Sequence, residues 1–510
     1  MEKLEPDTKY FGKFNLSNER WVTGELVLNG RESKVNLYDD EFIFLDTSHE
    51  EVLYGELFDL TKVTLINNIT PGPGRISSLG KTRYTSSAFP HYVVTGLHHF
   101  DPSLKTIESV HFALDDFNKI FYDNLAFGKV LSAEKYIDKV IEWSKLDKEW
   151  LEDKFKLDKS DHELIVSGEY PEIVYFTGVR TIFKVETEIG VISATNSVVV
   201  NSNDSNGYNL DNNIYITIEF NESISFENSL DKIIIITKFF EIIAGRPQNI
   251  RNLTIQSRYK QSVDLLNVYW SHVGKRDDSE NQMQPHPADI LIQAVTSRKE
   301  FEKVFSAWIN MNDNRHTARL RFSENFSFQY DFNHARIIGA ANMFDILPSE
   351  VFSSSEQLPD NLLEAKKEAR KIFKVLPESL ERDSVLGELG RLGKKKLKHK
   401  IRDRVNLILE NVDHNFDDLM NVTDEAVDCR NFYVHGSLKK NKPDYGNHPD
   451  LISFFTMTLE FVFALSDLID AGWDANSWIN KQGYISHPFS HYCSQYDVNI
   501  KMFKEFTQKS

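Results

Sequence analysis

The segment Asp428-Cys429-Arg430-Asn431-Phe432-Tyr433-Val434-His435-Gly436 places an arginine, an amide and an imidazole close together. A guanidinium can offset charge that grows on phosphoryl oxygens. An amide can position a ligand, and an imidazole, with an ordinary pKa of about 6.5, can move protons near neutral pH. Such a set suits RNA cleavage without a metal, because the ribose 2′-hydroxyl is itself the nucleophile; DNA lacks it and would be spared. Gly436 stands where a C-cap glycine closes a helix. On a continuous helix Asn431 and His435 share one face, whereas Arg430 and His435 stand about 140° apart. Those two reach one ligand only if the helix loosens at its end or a second copy completes the site. A purely structural use is also open: Arg430 bridging to Asp424 or Asp428, and His435 capping the helix.

A basic run precedes the motif. From Arg391 to Arg404, eight of fourteen residues are Lys or Arg, among them Lys394, Lys395, Lys396, Lys398, Lys400, Arg402 and Arg404, and Lys439 and Lys440 follow the motif. Such a patch can hold a polyanion by phosphate contacts and counterion release, or it can be an ordinary solvated helix face. Other constellations carry less. Gly74 to Thr82 has five residues between its glycines where a phosphate loop needs four, so a polar surface loop is expected there. His98, His99 and His111, and likewise His487, His491 and Cys493, lack metal-ligand spacing, and Pro488 should break any helix aligning His487 with His491. No metal and no cofactor are expected.

Two halves of different period must position the motif. Short or alternating runs at 25–29, 34–38, 175–179, 191–195, 198–201 and 214–220 predict strands, with a loop at 201–213. Helices are predicted at 132–154 and 229–244. Phe301, Val304, Phe305, Trp308 and Ile309 then mark an amphipathic helix. More helices follow at about 328–346, 359–375, 384–410, 415–435 and 448–471, the last too apolar to face solvent. The expected architecture is α+β: a strand-rich unit at 1–274, a linker at 275–295, and an all-α bundle of five or six helices at 296–510.

The 510 residues carry a net charge of −17, so any nucleic-acid surface must be local. Two cysteines exclude a disulfide scaffold and suit a reducing cytosol. The acidic start is unlike a signal peptide. No run approaches the roughly 18 apolar residues of a membrane span. A soluble, cytoplasmic protein without a membrane partner is expected.

With Arg430, Asn431 and His435 in a late helix of an all-α bundle, the C-terminal half resembles the HEPN superfamily, whose nucleases carry Arg, a polar residue, then His. The joining of a strand-rich unit to that bundle, the run from Phe301 to Asn310 and the helix from Arg336 to Pro348 resemble the Apea-like HEPN proteins of anti-phage defence. The resemblance implies a metal-independent endoribonuclease toxin that leaves 2′,3′-cyclic phosphate ends, with Arg430 and His435 catalytic and Asn431 positioning. It also implies a homodimer, RNA as substrate (transfer RNA is common in the superfamily), abortive infection as the outcome, and an N-terminal unit that senses a phage-derived trigger. A non-catalytic HEPN module that binds nucleotides or a partner is the alternative, as is an enzyme sited in the N-terminal half, for which no coherent motif is found.

Overall fold

The computed structural model describes residues 4–16, 19–45, 52–78, 80–130, 133–155, 171–204, 207–259, 262–271, 283–328, 331–352, 358–393, 395–436, 445–480 and 483–508. Strands dominate up to Trp270 and helices thereafter, the division that the change of period predicts. Strands Lys9–Asn15, Trp21–Val27, Lys34–Asp39, Val52–Leu57 and Lys62–Ile69 form a barrel with the long strand Lys81–Gly96. That strand closes it by pairing with both Lys34–Asp39 and Lys62–Ile69. Phe14 is fully buried inside. Glycine flanks the ring on both sides, because a Cβ at Gly24 or Gly55 would come within 2.7 or 2.5 Å of it.

Beyond the barrel the sheet continues through Ser262–Trp270, Ile250–Tyr259, Ile107–Leu114, Gly207–Ile224, Gly190–Asp204 and Thr181–Glu186. The loop expected at 201–213 is not there: Val198 pairs with Asn212 and Val200 with Leu210, so two long strands run through it. Where burial is described, at 197–199 and 209–213, no residue is buried, so this Asn- and Asp-rich stretch has no need of apolar alternation. Similarly, Gly74–Ser78 and the start of Lys81–Gly96 form a strand pair where a loop was expected.

One core joins sheet and bundle. The helix Phe226–Ala244 carries Phe239 and Phe240, whose rings pack against Phe301, Phe305 and Trp308 at centroid separations of 4.9 to 6.4 Å. The expected linker therefore needs correction. Residues 275–282 lie outside the described residues, but Ile290, Leu291, Ile292 and Ala294 are buried, and the Leu291 N–H donates to the Ile243 carbonyl at 3.2 Å. The core crosses the boundary at this point.

The bundle is organised around Pro449–Asp470. This helix has the length and mean hydropathy (1.6) of a membrane span, but 83% of that window is buried inside the protein. Its acids hold the neighbouring helices. Glu460 takes a two-pronged pair from Arg336 of the helix His334–Ile346, at 2.9 and 2.8 Å. Asp467 takes Arg315 and Arg319 of the helix Asn312–Phe326, at 2.6 and 2.9 Å, together with the Trp308 indole N–H. Charges taken out of water are tolerated only when paired in this way, and the two guanidinium groups hold the Asp467 carboxyl down to about 2 against its desolvation. Gly339 admits the Asn325 side chain, whose amide donates to the Arg336 carbonyl at 2.7 Å.

Several helices differ from the pattern that periodicity predicts. The one expected at 384–410 is two, Leu380–Arg391 and Leu397–Asn411, parted at Gly393 with φ +90°. Asn312–Phe326 and Pro488–Gln508 are additional helices, and Pro488 stands at the first position of the second, which leaves His487 outside the helix that carries His491, as expected. Asp360–Val375 and Leu380–Arg391 form a hairpin without a single buried residue.

Candidate active site

The motif lies on the helix Leu419–His435, whose Leu419, Val422, Ala426 and Val427 face the core at helical spacing. Gly436 closes it in the left-handed region, φ +64°, with its N–H donating to the Phe432 carbonyl at 2.8 Å, as the C-cap reading predicts. Tyr445 donates to Glu425 of the motif helix at 2.5 Å. Burial and Glu425 push the Cys429 thiol up to about 12, which removes it as a nucleophile at neutral pH.

Arg430 is half-buried and turned towards the helix His334–Ile346. Its Nη2 donates to Asn342 Oδ1 at 2.8 Å and its Nη1 to Asn431 Oδ1 at 3.0 Å. Its Nε is buried without an acceptor among the described residues. Neither Asp424 nor Asp428 takes this guanidinium, because both carboxylates are engaged by the basic helix Leu397–Asn411 and the residues beside it. The salt-bridge reading of Arg430 therefore has no support in the geometry. Its charge is held in place by neutral oxygens, and no carboxylate among the described residues pairs with it.

His435 is the last residue of its helix, exposed, with no hydrogen bond to a described residue. Arg430 and His435 share no partner among the described residues. Asn431 is the residue the structure does join to Arg430.

The basic run is mostly occupied. Lys398 lies 2.8 Å from Asp428, Lys400 3.6 Å from Asp345, and Arg402 donates to Asp424 at 3.0 Å, while Lys395 pairs with Asp403. Arg404, expected at an RNA surface, is corrected to a core residue: it is 2% exposed, lies 2.7 Å from Asp470 and donates to Ser466 at 2.9 Å. The helix turns one side inward, and Arg404 falls on it beside Ile401, Val405 and Ile408. Lys396 is exposed, with no ion pair to a described residue. Lys394, Lys439 and Lys440 lie outside the described residues.

Two residues that the sequence pattern does not single out sit at the site, both on the helix His334–Ile346. Asn342 touches Arg430, and the His334 ring stacks on Tyr433 at a centroid separation of 3.9 Å. A lone amide in the apolar stretch from Ile337 to Phe344 is the available signal for Asn342.

This arrangement presents an unneutralised guanidinium beside two amides, with an exposed imidazole one turn further along. The guanidinium can bind an anion, and the imidazole, which no contact joins to it among the described residues, can transfer a proton. The sequence of residues 9–308 matches the family model described as ApeA N-terminal domain 1, and residues 338–477 match the one described as Apea-like HEPN. Comparison with curated proteins and with solved structures returns no match. At the level of the superfamily, membership supports a nuclease-like or defence role. A strand-rich first half that matches over 300 residues, followed by a helical bundle that matches around the Arg-Asn-x-x-x-His helix, makes this chain a member of the ApeA-type HEPN family.

Proposed function

We propose that the protein is a metal-independent endoribonuclease of anti-phage defence, acting by 2′-hydroxyl transesterification. The observation that carries the reading is the Arg430 guanidinium held by the Asn342 and Asn431 oxygens and by no carboxylate among the described residues. A cation tethered but not neutralised is suited to a phosphodiester. In the reaction the 2′-oxygen bonds to phosphorus as the bond from phosphorus to the 5′-oxygen breaks. The 2′-hydroxyl proton goes to an imidazole, and the 5′-oxygen leaves with a proton. The products are a 2′,3′-cyclic phosphate and a 5′-hydroxyl. Every group required is the substrate's own or an Arg, Asn or His side chain.

Because Arg430 and His435 stand five residues apart on one helix, about 140° around its axis, the working site is proposed to form between two copies of the chain. RNA is the substrate, with transfer RNA as the first class to examine. The strand-rich half, continuous in its core with the bundle, is proposed to respond to a phage-derived trigger in the cytoplasm.

The test is RNA end-mapping in cells making the wild type or His435→Ala, with and without phage. Discrete new ends bearing 2′,3′-cyclic phosphate in the wild type alone support the reading. Identical maps under both conditions sink it in favour of a binding module. Cleavage by the purified protein that EDTA suppresses sinks the metal-free mechanism.

A further inference from the structure

We infer that Asn342 is a positioning residue for the cleavage site, and that its being an amide instead of a carboxylate is what leaves Arg430 able to take a phosphate. The inference rests on the nuclease reading and adds to it a second structural element, the helix His334–Ile346.

In the rest of the bundle, buried arginines are treated differently. Arg315 and Arg319 meet Asp467, Arg336 meets Glu460, and Arg404 meets Asp470. Each of these four is ion-paired to a carboxylate, three of them sharing Asp467 and Asp470, as a structural cation must be when it leaves water. Arg430 is half-buried on the same bundle, yet its two partners are the oxygens of Asn342 and Asn431. An amide oxygen fixes the direction of a guanidinium through hydrogen bonding but contributes no net negative charge. The buried Nε of this guanidinium has no hydrogen-bond acceptor among the described residues.

The placement of Asn342 is itself built. Arg336, six residues earlier on the same helix, is clamped by Glu460 of the central helix. Ile337, Ala340, Ala341, Met343 and Phe344 bury the face between. Asn342 is thereby presented to the motif helix from a rigid element, as a site needs.

Asn342→Asp separates a positioning role from a packing role. Aspartate is isosteric and keeps the hydrogen bond, so a residue needed only for packing would tolerate it. If Asn342 sets the charge, the carboxylate forms a full ion pair with Arg430 and competes with phosphate. The experiment compares full-length wild type, Asn342→Asp and Asn342→Ala in single-turnover cleavage of total cellular RNA and in thermal unfolding. For Asn342→Asp the maximal rate should fall by about tenfold to a hundredfold, with an unfolding midpoint equal to or above that of wild type. Asn342→Ala, which unties the guanidinium but leaves its charge, should fall less. A rate for Asn342→Asp equal to wild type overturns the assignment and leaves the nuclease reading standing. Wild-type protein that leaves the RNA intact overturns both.

Discussion

The Lys398 ammonium lies 2.8 Å from the carboxylate of Asp428, two residues before Arg430. With Arg402 on Asp424, it laces the basic helix to the motif helix. The charge run is thus largely a fastening, and its members differ in what they leave for RNA. These partly exposed pairs contribute on the order of 1 kcal/mol each, so Lys398→Ala should lower the unfolding midpoint slightly. The sharper expectation concerns salt. Plotted as log affinity against log salt concentration, RNA binding should lose about 0.7 of its slope in Lys396→Ala and little in Lys398→Ala. Equal losses in both variants would show that the pair to Asp428 opens on binding.

Arg430→Ala and His435→Ala should each abolish cleavage and leave the fold intact, since His435 is exposed and Arg430 gives up only two hydrogen bonds to amides. Mixing the two inactive variants asks more. If Arg430 of one copy works with His435 of another, random re-pairing makes half the dimers mixed, each with one whole site. About a quarter of the wild-type rate should then return. A mixture as inactive as its components would place both groups of each site in one chain.

The C-cap at Gly436, the stripe from Phe301 to Ile309 and the buried central helix were legible because each follows from spacing along one element. What was not legible depends on partners distant in sequence. The basic run reads as an RNA surface until Asp345, Asp424, Asp428 and Asp470 are seen opposite it. Asn342 lies 88 residues from the arginine it holds, and only the packing of two helices joins them. The expected linker failed for a related reason: a polar stretch ends in Ile290, Leu291 and Ile292, a short apolar run whose burial is decided by the Phe226–Ala244 helix.

The hairpin Asp360–Arg391 offers a test of what the bundle needs. None of its residues is buried, and Ile372, Val375 and Leu380 are exposed at its tip. Its ends lie together, since a Cβ at Gly393 would stand 2.8 Å from the Leu358 side chain. Replacing 360–391 with a short Gly/Ser connection should therefore leave the unfolding midpoint within a few degrees of wild type, because little apolar area returns to water. A collapse of the fold would show that the hairpin is held by contacts formed only in an assembly.

His487 ties the two halves together and should make the whole chain sensitive to acid. The ring is 1% exposed; its Nε2 lies 3.0 Å from the Ile242 carbonyl of the sheet-side helix, and its Nδ1 accepts from the Phe489 N–H at 3.1 Å. One nitrogen must donate and the other accept, so only the neutral ring fits. Burial lowers its pKa from 6.5 to about 4, although Ile242 and Asp289 favour the charged form. Between those two values the unfolded chain binds a proton that the folded chain refuses. The stability is therefore complete above pH 6.5 and is lost as the pH falls towards 4. The contribution is on the order of a few kcal/mol, because each tenfold loss of proton affinity on folding corresponds to about 1.4 kcal/mol. His487→Gln retains a donor for Ile242 but cannot titrate. Denaturant unfolding at pH 7.5 and pH 5 should show wild type losing more stability on acidification than the variant, the difference isolating this one ring from every other acid-sensitive group. If the two proteins lose the same amount, the ring is not the group that acid attacks.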